Sequence, residues 1–292
     1  MSRRAKQEWI ARANLCGIAA LGYPVTAYAM QAAAAWLLRT SSVAVPQTVE
    51  LMLYLLAGGL ALLLPSLLGA RVACLTATEM YWKPASPRAI LQWLPLFLGG
   101  AALANWVGGL LAFVMHAPAS ATRLPPGGWL LALYFAALCV LPAVGEELFF
   151  RGVLQGLLRP LGTTAAVGGA ALMFGLMHGS LAQCVNAFLC GLLLGLCAEQ
   201  TGSLVPGICL HFANNVLAFV GAYLSQYGSG RLYQLLLMVL LPVAALLVWR
   251  RRPLRCKWVK SRPGVSLRQS YGYWAAVICL GVLCLGRSFE LL

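Results

Sequence analysis

The feature that most limits what this chain can become is a succession of apolar runs, each close to 20 residues, that fills nearly its whole length. At 1.5 Å of rise per residue, a helix of about 20 apolar residues spans the roughly 30 Å hydrocarbon core of a bilayer. Nine runs are read, at roughly 14 to 37, 51 to 70, 90 to 115, 128 to 158, 163 to 180, 184 to 200, 204 to 224, 231 to 249 and 271 to 289. They predict an all-α, polytopic transmembrane helical bundle of about eight to nine membrane helices. With 61% hydrophobic and only 10% charged residues among 292, the chain lacks the charge to cover a soluble surface. The sixth run is short. The ninth follows a basic stretch, 250 to 270, whose Pro253, Pro263 and Gly264 argue against one continuous helix. A bundle of eight helices with one appended helix is therefore expected, and no stretch is polar or long enough for a separate soluble domain.

The net charge of +14 would suggest nucleic acid in a soluble protein, but here the basic residues sit at the ends of the runs. With the amino terminus (Arg3, Arg4, Lys6, Arg12) placed in the cytoplasm, the cytoplasmic ends hold Arg71, Lys83 and Arg88, then Arg151 and Arg159. The cluster Arg250, Arg251, Arg252, Arg255, Lys257, Lys260, Arg262 and Arg268 follows on the same side, against only Arg39, Arg123, Arg231 and Arg287 outside. This is the positive-inside pattern, so the charge reports orientation and contact with anionic lipid, not nucleic acid. A multi-pass protein of a bacterial inner membrane with a cytoplasmic amino terminus is expected. The ten cysteines, with no CxxC pair, read as small apolar packing residues. The first run contains an AYA sequence like a signal cleavage site but is too long for a signal, and is kept as a membrane helix.

Ionisable groups inside a bilayer are costly, which makes their positions informative. There is no Asp, and two of the seven Glu stand together inside the fourth run, Glu146 and Glu147. The other intramembrane polar residues are Arg151, His178, His211, Asn215 and Glu199, with Asn105, Asn186 and Asn214 as lesser members. His116 reads as a solvated edge residue and Glu199 as interfacial. Glu147 and Arg151 are i and i+4, on one helical face, whereas Glu146 lies about 100° around the helix. Glu147 is thus expected to be held by Arg151 and Glu146 left free. Pro142 is expected to kink the helix close to the pair. Phe174 with His178, and His211 with Asn215, are again i and i+4. Counted from the cytoplasmic ends of their segments, Glu146, His178, His211 and Asn215 lie about 18, 22, 10 and 16 Å deep, within one slab. A buried Glu holds protons more tightly and so makes a better base near neutral pH, and a neighbouring His can orient a water. A second His and an Asn suit the oxyanion formed when water attacks a carbonyl. No serine nucleophile motif is present.

EELFFR, FGLMH and HFANN resemble, in order, the EExxxR, FxxxH and HxxxN motifs of the CPBP (CAAX protease and bacteriocin-processing, Abi) family of intramembrane proteases. The resemblance covers about residues 125 to 225. It implies a core of four catalytic helices and divides the chain at 1–125 (three helices), 126–225 (protease core) and 226–292 (a helix, the basic stretch and a final helix). It also implies a glutamic-type endopeptidase in which Glu146 and His178 activate water and His211 and Asn215 form the oxyanion hole. Glu147 and Arg151 are then the supporting pair, and Phe174 shapes the cavity. The substrate would be a membrane-associated peptide or protein cut at a carboxyl-terminal or juxtamembrane site. No cofactor is expected. A zinc site on Glu146, His178 and His211 stays open, since these form a His2Glu set, although the HExxH signature is absent. Two rivals also stand. One is a proton-coupled transporter, which should show related halves that we do not see; the other is a non-catalytic scaffold or immunity factor of the same fold.

Overall fold

Continuous apolar sequence leaves the backbone to satisfy its polar groups within each segment, and the described residues form helices with no strand. The computed structural model describes residues 2–41, 45–116, 123–251, 258–260 and 266–289. Among these, nine principal helices run α1 (Arg3–Thr40), α2 (Gln47–Val72), α3 (Pro87–Val114), α4 (Gly128–Leu161), α5 (Thr163–Leu176), α6 (Leu181–Thr201), α7 (Leu204–Gln226), α8 (Gly230–Arg251) and α9 (Tyr271–Ser288). Seven of them, all but α1 and α5, are long and apolar enough to cross a membrane. The polytopic helical bundle of an integral membrane protein is the result.

Two helices depart from the expected lengths. The sixth is not short, with 21 residues, whereas α5 has 14. The apolar run of α5 continues toward residue 180, but Gly179 takes φ +86° and the chain turns after Leu176. α1 is the longest helix yet falls outside the seven, because its run is built of Ala, Gly and Tyr more than of Leu. Its small residues are used for close approach instead: Ala13, Cys16, Gly17, Ala19 and Ala20 are buried.

α4 is continuous, and its winding changes where a kink was expected. Wide π turns at Ala136–Val140 and Glu147–Gln155 flank the α-helical Leu141–Glu146. Pro142 brings no N–H to the ladder, and the wide turn just before it takes up the shift in register. The two halves of α4 have different surroundings. Leu138, Val140 and Val144 are exposed on the first half, whereas Phe149 through Leu158 is buried without interruption. This buried half belongs to the main core, which it shares with Ala13 and Cys16 of α1, Met173 and Phe174 of α5, and Tyr273, Ala276 and Leu280 of α9. A second core joins Trp93 and Phe97 of α3 to Leu194 of α6 and Leu210 of α7.

The ninth helix is not an appendage. Asn14 Oδ1 of α1 accepts hydrogen bonds from Ser270 Oγ and from the Gly272 N–H, each at 2.8 Å. The Tyr273 hydroxyl donates to the Gly169 carbonyl of α5 at 3.0 Å, and Ser288 Oγ accepts from Leu181 N at 2.7 Å, at the start of α6. The linker that suggested an appendage says nothing about where the helix docks, and its Arg252, Arg255, Lys257, Arg262, Pro253, Pro263 and Gly264 lie outside the described residues. Gly17 meets Gly272 so closely that a Cβ at residue 17 would overlap the Gly272 carbonyl. Gly17→Ala is therefore expected to destabilise the bundle by about 1–3 kcal/mol, as overpacking does in other cores. Unfolding followed in detergent reads this directly, and an unchanged midpoint would refute the clasp between α1 and α9.

Candidate active site

The site forms where α4 passes from exposed to buried. Glu147 and Arg151 are an ion pair at 2.8 Å, Arg151 Nη1 to Glu147 Oε1, with both side chains only 1% exposed. The same Oε1 accepts from His211 Nδ1 of α7 at 3.0 Å. Arg151 Nη2 donates to the Gly191 carbonyl of α6 at 3.3 Å, and its guanidinium lies 4.4 Å from the centre of the Phe174 ring. Glu147 is therefore held as expected, with His211 as an additional partner. Gly207 of α7 makes room for it, since a Cβ there would stand 2.9 Å from Glu147 Oε2.

Glu146, one residue earlier, points elsewhere. Its side chain is 18% exposed, and its Oε2 lies 3.9 Å from His211 Nε2, beyond hydrogen-bond length. That Oε2 is itself buried and has no hydrogen-bond partner among the described residues, as is Glu147 Oε2. Two buried carboxylate oxygens thus face a site whose donors are incomplete. His211 stands between the two Glu, one ring nitrogen toward each.

His178 is placed differently from the helical reading. It follows the end of α5, in the turn before Gly179, and its Nδ1 is 2.7 Å from the Phe174 carbonyl. A carbonyl only accepts, so Nδ1 carries a proton, and Nε2 is the ring nitrogen left for another partner. No hydrogen bond or ion pair joins His178 to Glu146 among the described residues. Phe174 connects the parts instead: its ring stands edge-on to His178 at 4.6 Å and to His211 at 6.0 Å, above the Arg151 cation. Asn215, one turn beyond His211 on α7, is half-buried, and its side chain makes no hydrogen bond to a described residue. Among the described residues, no three His, Cys or Glu side chains are gathered to hold a metal ion.

Glu199 is not a solvated interfacial group. Its side chain is buried, accepts from the Tyr81 hydroxyl and from Gln155 Nε2 at 3.2 Å, and lies 3.8 Å from Arg159 Nε. A polar residue at the end of an apolar run looks the same in sequence whether it meets water or a folded loop. Here the loop between α2 and α3 covers it. The lesser members Asn105 and Asn186 pair with each other across α3 and α6. His116 is exposed, with φ 53°.

Residues 128–217 match the family described as Rce1-like, type II CAAX prenyl endopeptidase Rce1-like. Over these residues the chain is similar to that family. The Rce1-like segment takes in α4, α5, α6 and the first half of α7, and so contains Glu146, Glu147, Arg151, Phe174, His178, His211 and Asn215. It is the central part of the resemblance to the CPBP family carried by the three motifs. No curated protein and no solved structure matches the chain. Helices α1 to α3, α8 and α9 lie outside the Rce1-like segment, although α1 and α9 supply part of the core behind it.

Proposed function

We propose that the protein is a glutamic-type intramembrane endopeptidase that hydrolyses a peptide bond of a membrane-associated protein or peptide. The observation that carries this reading is the pair of carboxylates shared by one imidazole. Glu147, fixed by Arg151, holds His211 by Nδ1, and the unpartnered Glu146 Oε2 lies on the Nε2 side. Glu146 takes a proton from water, and the hydroxide attacks the scissile carbonyl carbon. The oxyanion is stabilised by N–H groups of His211 and Asn215. For His211 to donate through Nε2 while Nδ1–H stays on Glu147, the ring must carry both protons. The proton on Glu146 then passes to the departing amine as the C–N bond breaks. His178, with its proton on Nδ1, offers Nε2 as an acceptor that orients the attacking water. The partly buried position of Glu146, where α4 passes from its exposed to its buried half, suits a substrate that arrives within the membrane. The likeness to a CAAX prenyl endopeptidase family makes a lipid-anchored, carboxyl-terminal peptide the first substrate class to supply.

The test is cleavage of a panel of such peptides by purified protein in detergent, with and without a chelator. His178→Ala is expected to lower kcat by on the order of 100-fold, a typical contribution from one acid–base group, with activity indifferent to chelation. Loss on chelation restored by zinc would replace this mechanism with a metal-assisted one.

A further inference from the structure

Beyond the site, α4 carries a stripe of four polar residues at four-residue intervals, Glu147, Arg151, Gln155 and Arg159. Only the first two are used above. The facing helix α6 answers with a stripe of the same interval, Gly191, Gly195 and Glu199. Arg151 Nη2 donates to the Gly191 carbonyl at 3.3 Å and Gln155 Nε2 to the Gly195 carbonyl at 3.1 Å. Gln155 Nε2 also lies 3.2 Å from Glu199 Oε1, and Arg159 Nε 3.8 Å from the same oxygen. Gly195 makes the approach of Gln155 possible, since a Cβ there would stand 3.0 Å from Gln155 Oε1.

The far end of this ladder is closed by a residue from outside both helices. Tyr81, in the loop between α2 and α3, is fully buried and holds a left-handed φ of 55°, unusual for a bulky side chain. Its hydroxyl donates to Glu199 and accepts from Gln155 Nε2 at 3.1 Å. Its ring lies 4.4 Å under the Arg159 guanidinium, and its carbonyl accepts from Leu204 N at 3.0 Å, at the start of α7. The loop itself is fixed to α1 by the Arg12–Glu79 ion pair at 2.8 Å. Packing alone would be served by apolar residues here, because a buried polar group stabilises little net and is costly when a partner is lost.

We infer that Gln155, Glu199 and Tyr81 are positioning residues that lock the register of α4 against α6, and so hold Arg151 on the Gly191 carbonyl with Glu147 and His211 aligned. This rests on the hydrolytic reading of the Glu146–His211 site. A slip of α4 along α6 would withdraw Arg151 from its carbonyl, turn the Glu147 oxygen away from His211 Nδ1 and carry Glu146, on the same helix, out of place, although Gln155, Glu199 and Tyr81 themselves meet no substrate.

The experiment uses the full chain in detergent, a peptide that the wild type cleaves, and the variants Tyr81→Phe, Gln155→Leu and Glu199→Gln. Tyr81→Phe removes one oxygen and leaves the ring beneath Arg159, so it keeps the question answerable if a harsher variant fails to fold. For each folded variant, kcat per folded molecule is expected to fall on the order of 10- to 100-fold, the scale of a sub-ångström to ångström misplacement, with KM little changed and the pH profile of kcat/KM displaced. Wild-type kcat and pH profile in the folded variants would overturn the inference. If Glu146→Gln is dead while these variants match the wild type, the positioning inference alone falls; if Glu146→Gln cleaves normally, the hydrolytic reading falls and takes this inference with it.

Discussion

Glu146→Gln is expected to lower kcat by about 100- to 10,000-fold, the span attributed to a general base, while the protein remains folded. The amide keeps the shape of the carboxylate and loses its ability to take a proton from water. The structure gives a reason for the fold to survive: Glu146 makes no ion pair with Arg151, its Oε2 accepts no hydrogen bond, and His211 Nε2 stands off at 3.9 Å. The comparison requires initial rates on a cleaved peptide and an unfolding midpoint for the same preparation. Activity at the wild-type level in Glu146→Gln would sink the assignment of Glu146 as base.

The second large effect is on stability. Arg151→Met should destabilise the bundle by about 3–5 kcal/mol, because it leaves Glu147 as an uncompensated charge in a dry interior. Both side chains of the pair are 1% exposed, Glu147 Oε2 has no donor, and without Arg151 only His211 Nδ1 is left on Oε1. The double variant Glu147→Leu, Arg151→Met should recover much of that loss, since replacing both members of a buried pair with apolar residues is often near neutral. It should not recover activity, because His211 Nδ1 then has no carboxylate to orient it. Unfolding in detergent measures the first effect and peptide cleavage the second. A double variant as unstable as Arg151→Met would show that the pair itself is not the origin of the loss.

Much of the helical layout was legible because the apolar runs are long and cleanly bounded, so the nine helices fall at the nine runs. The polar residues of the site stood out for the same reason, being rare in apolar surroundings. What the sequence hid were matters of register between helices. Nothing local to His211 says that its Nδ1 will meet Glu147 and not Glu146, because that depends on the rotation of α7 against α4. His178 looked helical since FGLMH continues the apolar pattern, and only the left-handed turn at Gly179 ends α5 before it. Glu199 looked interfacial because the covering loop is brought there by Tyr81, 118 residues away. The ladder was partly visible, in the interval shared by Glu147, Arg151, Gln155 and Arg159, but its meaning needs the matching interval on α6.

The clasp between α1 and α9 ties the site to the order of synthesis. Asn14 near one end of the chain is joined to Ser270 and Gly272 near the other, and Ser288 accepts the N–H of Leu181 that opens α6, three residues beyond His178. A nascent chain made only as far as α8 still lacks the helix that packs on both α1 and α5 and holds the start of α6, just beyond His178. Alignment of that turn therefore waits for α9.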